Sequence, residues 1–174
     1  MNTIAKPQPG TYPEYYGKYI PLIKGENIFE ELYKEHYETM ELLTSVDEET
    51  LQYRYAEGKW TMREIAQHLI DTERILTYRA LRFSRNDQTV LPGFDENLFA
   101  ANSSANSRDI NDMVRELSVV RASTVELFKS FTDQMLDRKG NANGKEVTVR
   151  SILFFTLGHE IHHRNVIEER YLPK

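Results

Sequence analysis

Apolar residues recur at helical spacing through four long stretches of the chain, and no stretch settles into the sustained alternation of a half-buried strand. Phe29, Leu32, His36, Met40 and Leu43 share one face of a first helix, predicted over residues 27–46. The second has the clearest start. Thr61 and Glu64 form a T-x-x-E capping box, with Trp60 and Ile65 placed as the hydrophobic staple around it, so a helix is predicted over 62–85. Its inward face carries Ile65, His68, Leu69, Thr72 and Leu76. The third, over 108–131, gathers Ile110, Met113, Val114, Leu117, Val120, Leu127 and Phe128 and leaves Arg115, Glu116 and Arg121 off that face. Thr148 can cap the fourth, over 149–171 ahead of Pro173, whose stripe is Ile152, Thr156, His159, His163 and Val166.

The segments between are polar or rich in turn residues. Proline, glycine and tyrosine crowd residues 6–21, which predicts an extended arm, residues 1–26, laid over the domain. Residues 86–107 contain Pro92-Gly93 and Ser103-Ser104, too long a stretch for a tight helical hairpin and better suited to a crossover or a lid. Residues 140–144, Gly-Asn-Ala-Asn-Gly, predict a turn. With 174 residues, 40 % of them hydrophobic, the chain is expected to form one all-α domain, 1–174, a four-helix bundle with a long connection between helices 2 and 3.

Charge and composition narrow the function. Lys and Arg number 22 against 27 Asp and Glu, a net charge of −5, so no overall positive field attracts nucleic acid or an anionic membrane. No apolar run has membrane-spanning length and the first residues lack the apolar middle of a secretory signal, so a cytoplasmic address is expected. There is no cysteine: the chain offers no thiolate to a metal and no thiol nucleophile, and sulfur chemistry would need a thiol from outside.

The chemistry sits in the histidines. His159 and His163, four residues apart, share one helix face about a turn apart, and His68 lies on the inward face of another helix. Three such imidazoles could grip one divalent cation and leave a coordination position open, the form typical of catalytic zinc. Each alone is explained as well by an ordinary interior histidine bonded to a carbonyl or carboxylate. His162 lies about 100° around the helix from His163 and is expected at the flank of the site. His36, on the apolar face of helix 1, reads as a core histidine with pocket lining as the alternative.

His159-Glu160-Ile161-His162-His163 also spells the H-E-x-x-H of zinc proteases, with Glu160 as general base. The extended form of that motif needs Gly where Val166 stands and His where Glu169 stands, and the eleven residues after His163 are too few for the distant glutamate ligand of the other class. A protease therefore remains a minor alternative.

Gly58-Lys59-Trp60-Thr61 leading into His68-Leu69-Ile70-Asp71-Thr72-Glu73-Arg74, then Tyr78-Arg79, Leu91-Pro92-Gly93-Phe94-Asp95, Gly158-His159-Glu160, His162-His163 and Arg170-Tyr171-Leu172 together resemble the DinB/YfiT-like family of bacterial metal-binding four-helix bundles. The resemblance covers nearly the whole chain. It implies His68, His159 and His163 as metal ligands, one divalent ion (Zn²⁺ or Ni²⁺ foremost), a small-molecule substrate and a homodimer. It implies two activities, transfer of a low-molecular-weight thiol to an electrophile or hydrolysis of a small substrate. A non-catalytic bundle in which the ion serves as staple, buffer or sensor is the competing reading. Glu160 and Asp71 are the candidate proton acceptors or carboxylates orienting a ligand's second nitrogen; solvated helix-surface acids are the plainer account of both. Tyr78 and Arg79 fit either a pocket lining or a bundle surface.

Overall fold

The structure is a computed structural model and describes residues 3–172; Pro173, expected to stop the last helix, lies outside them. Four long helices form the frame: α1 (Ile28–Thr44), α3 (Met62–Ser84), α5 (Ile110–Lys129) and α7 (Val149–Arg170). Each starts where a side-chain oxygen can take up a free backbone N–H of the first turn. Asn27, Thr61, Asp109 and Thr148 do so. The box at Thr61 is complete, with the Glu64 N–H donating to Thr61 Oγ1 at 3.1 Å and the Thr61 N–H donating to Glu64 Oε2 at 2.8 Å. The main packing pairs are α3 with α5 and α7, and α1 with α5 and α7, so helices consecutive in the frame (α1 and α3, α5 and α7) stand on diagonals.

One expected element needs correction, and two segments hold structure beyond what the sequence predicts. The arm is not extended throughout: Glu14–Lys18 and Ile20–Leu22 form 3₁₀ turns whose Tyr16 and Ile20 are buried. The connection 86–107 holds a helix, α4 (Glu96–Asn102), capped by Asp95, and two further short helices, α2 (Glu48–Gln52) and α6 (Asp133–Leu136), lie outside the frame. Residues 140–144 are the centre of an antiparallel hairpin of β1 (Lys139–Ala142) and β2 (Lys145–Thr148), turned at Asn143 and Gly144, both at positive φ. Asn-Gly is a favoured hairpin turn because both positions accept left-handed backbone. No helix among the described residues is long and apolar enough to cross a membrane.

The apolar interior falls into two clusters. One gathers the arm, Leu32, Leu76, Phe83, Phe128 and Phe155; the other gathers Leu43, Met62, Leu69, Leu117 and Ile167. Between Leu69 and Leu76 on α3 lie buried Thr72 and Glu73, and the matching stretches of the other helices contribute buried Glu35, His36, Arg121, His159, Glu160 and Arg164. A polar layer thus crosses the bundle. Arg121, expected off the core, is 2 % exposed at the middle of it.

Candidate metal centre

The centre forms where α3 meets α7. His68 Nε2 lies 3.1 Å from His159 Nε2, and His163 Nε2 lies 3.1 Å from the same atom. The ligand atoms of all three residues lie within 4.8 Å of one another, and this is the cluster suited to a metal ion among the described residues. The i, i+4 spacing stacks His159 and His163 one turn apart, and the α3–α7 contact supplies the third ring. Four ligands in a tetrahedron around zinc, at about 2.0–2.1 Å each, stand about 3.3 Å apart, close to the two 3.1 Å separations about His159.

The protonation state suits the same task. Burial holds His68 down at about 4; burial and the neighbouring histidines hold His159 and His163 well below the usual range. The rings are therefore neutral at neutral pH, the state in which an imidazole ligates a cation. Thr72 Oγ1 lies 3.4 Å from His68 Nδ1, the Trp60 ring centre 4.7 Å from that of His68, and Phe155 stacks on His159 at 5.5 Å. The staple residue Trp60 is thus also a wall of the site.

Two sizeable cavities open onto the rings, beside a void of about 10 Å³ between His159 and the polar layer. The larger, about 350 Å³, is lined by His162, His163, Trp60, Lys59, Tyr55 and Glu96 among others. The smaller, about 180 Å³, reaches His68 and His159 past Arg79, Tyr16, Phe94 and again Glu96. Glu96, at the start of α4, is the one carboxylate residue that lines both, among the described residues. Glu96 did not stand out in the sequence, where the usable signal was the length of the 86–107 connection; of the pair that fitted either a pocket lining or a surface, Arg79 lines the smaller cavity and Tyr78 is exposed and lines neither.

Of the other candidates Glu160, Asp71, His36 and His162, His162 alone lines either cavity. Glu160 points into the polar layer, where its Oε2 accepts from Arg121 Nη2 at 2.7 Å and its Oε1 lies 3.7 Å from His36 Nδ1. Burial alone would raise this carboxyl; the Arg121 charge foremost, with His36 nearby, outweighs it and holds the group at about 2. Glu160 lines neither cavity, so the H-E-x-x-H letters do not deliver a protease base. Asp71 also lines neither; its Oδ1 accepts from Gln67 Nε2 at 2.9 Å and burial raises its carboxyl. His36 is a core residue, its Nε2 3.0 Å from Ser118 Oγ. His162 takes its place at the flank, its ring edge to face with Tyr19 at 5.2 Å.

A helical bundle with three histidines converging from two helices on one point defines a metal-binding class, and the chain's relationships agree. Residues 31–167 match the DinB superfamily, and the chain belongs to that family. It is 27 % identical over 126 residues, 71 % of each chain, to OB0413 of Oceanobacillus iheyensis, which is named provisionally as a metal-dependent hydrolase. In fold it is similar to YfiT of Bacillus subtilis, described as an unusual four-helix bundle and a provisional metal-dependent hydrolase, with a TM-score of 0.72 at 20 % identity, covering 94 % of this chain and 90 % of that one. A DinB-like protein of the same species, YjoA, gives 0.57 at 21 % identity, covering 82 % and 87 %.

Proposed function

We propose that the protein is a metal-dependent hydrolase of small molecules, with His68, His159 and His163 as ligands of one divalent ion, zinc or nickel. The observation that carries this is the convergence of three neutral Nε2 atoms beside two cavities: three ligands leave coordination free, and the same three rings line space a substrate can enter. The provisional hydrolase names of OB0413 and YfiT support it. When bound, the ion supplies a Lewis acid that polarises an acyl or phosphoryl oxygen and activates water or a thiol. The chain's own part is to hold the ion with neutral donors and to border the reacting atoms with Trp60 and Phe155. Glu96, exposed and open to both cavities, accepts the proton released as the nucleophile forms.

Thiol transfer is the second reading, favoured by there being two cavities at one centre, which gives an electrophile and a small thiol separate entries. A turnover screen of zinc-loaded protein separates the two. Small esters and amides in water test hydrolysis, and halides and epoxides with small thiols test transfer, each beside His163→Ala. Hydrolysis lost in the variant supports the first reading; reaction only with a thiol supports the second. Equal rates in wild type and variant throughout would remove both.

A further inference from the structure

Four arginines are buried, and three of them meet carboxylates: Arg63 meets Glu48, Arg121 meets Glu73 and Glu160, Arg164 meets Glu35. Arg79, 9 % exposed, is the exception. Its side-chain hydrogen bond runs from Nη2 to the Pro92 carbonyl at 2.7 Å, and among the described residues it forms no ion pair. Glu96 lines the same cavity without coming into ion-pair range. A guanidinium offers a rigid fork of N–H donors, and one whose remaining donors open into a cavity rather than onto a carboxylate is placed to receive an anion there. Burial lowers the Arg79 pKa, offset in part by Tyr16 and Tyr15, as expected for a cation poorly compensated by its surroundings.

The surroundings are built rather than accidental. Leu91 pairs with Ala142 of the hairpin, its N–H donating to the Asn141 carbonyl at 2.9 Å and its carbonyl accepting from the Asn143 N–H at 2.9 Å. That clamp fixes Pro92, whose carbonyl holds Arg79. Gly93 follows, close under Asn143, whose Oδ1 would lie 2.3 Å from a Cβ there. The hairpin, the 91–94 segment and α3 therefore combine to aim one cation into a cavity that also reaches His68 and His159. Tyr15, Tyr16, Phe94 and Phe155 supply aromatic walls.

We infer that the cavity of about 180 Å³ is a subsite for an oxyanion, a carboxylate or phosphate carried on a small flat apolar body, received by Arg79 while the rest of the molecule reaches the three-histidine centre. This rests on the hydrolase or transferase reading for its purpose but not for its test. An oxyanion also binds a metal ion directly, so binding is measured on the metal-free chain.

Titration calorimetry with benzoate, phenyl phosphate and the neutral benzamide is the experiment. One or both anions bind wild type at least about tenfold more tightly than benzamide, and that preference weakens with added salt. Which anion wins distinguishes carboxylate from phosphate. Arg79→Gln abolishes the preference, Arg79→Lys keeps part of it, and zinc affinity of Arg79→Gln, read by competition with a chromophoric chelator, stays within about twofold of wild type. Equal binding of all three probes by wild type overturns the proposal, a result that needs no variant. So does a preference that survives in Arg79→Gln, or a parallel loss of zinc affinity there, which would make Arg79 a scaffold residue. If no substrate is ever turned over, the anion preference of the metal-free chain still stands or falls by itself.

Discussion

Neighbouring residues on α7 serve different ends. His159 turns to the centre and Glu160, about 100° further round, turns to Arg121. Arg121 draws on every helix of the frame: its Nε and Nη2 donate to Glu73 on α3 at 2.9 and 2.8 Å, its Nη2 to Glu160 on α7 at 2.7 Å, and its Nη1 to the Leu32 carbonyl of α1 at 3.1 Å. Burial works against its charge, and Glu160 and Glu73 more than restore it, so its pKa is raised. Removing the cation alone leaves two buried carboxylates facing each other. Arg121→Met should therefore lower unfolding free energy in urea by about 3–5 kcal/mol, and adding Glu73→Gln and Glu160→Gln to it should recover a substantial part. No recovery would mean that the arginine acts through packing rather than charge. Glu96 makes the opposite prediction. It is exposed and lines the cavities, so Glu96→Gln should leave the urea midpoint and bound zinc unchanged while lowering kcat by about a hundredfold or more. An unchanged kcat would free Glu96 from the role of proton acceptor.

At the scale of elements, the arm depends on one missing side chain. A Cβ on Gly158 would lie 2.5 Å from the Tyr19 carbonyl oxygen, so only glycine lets the 3₁₀ segment cross α7 beside His159. Glycine-to-alanine inside a helix is ordinarily stabilising by about 1 kcal/mol. Here Gly158→Ala should destabilise by about 1–3 kcal/mol, since the arm must move and uncover Tyr16 and Phe155, stacked at 4.0 Å. Stabilisation in thermal unfolding would refute that crossing. The four frame helices and two of their caps, Thr61 and Thr148, were legible because helical periodicity and capping chemistry are local signals; the caps Asn27 and Asp109 were not read. The histidine cluster was legible because two members are four residues apart and the third sits on an apolar stripe. Arg121 was not, since a charge beside an apolar stripe resembles surface until its partners on three other helices are in place. The hairpin was not, because Lys139–Ala142 and Lys145–Thr148 are four residues each and carry no alternation beyond the Asn-Gly turn. Arg79, which the sequence left between pocket lining and surface, is decided by that same hairpin, whose clamp on residue 91 sets the Pro92 carbonyl that holds it.

For the whole molecule, the question is whether an ion holds the bundle or the bundle holds an ion. Helices α3 and α7 are already joined without one, through the apolar clusters on either side of the polar layer and through the Arg121 junction. The three imidazoles are kept neutral by burial, so removing a cation leaves no buried charges to repel one another. Chelated protein should then keep its far-UV circular dichroism and a single cooperative melting transition. Adding zinc at a hundredfold excess over its Kd should stabilise the fold only by mass action, about 2.7 kcal/mol, or a rise in Tm on the order of 5–10 °C for a chain of this size. His163→Ala should retain the fold and lose most of that rise. Loss of helicity on chelation, restored by zinc, would instead establish the staple, because only a bundle that cannot close without its ion couples metal release to unfolding. Retained fold with abolished turnover is the result that places the ion in the chemistry.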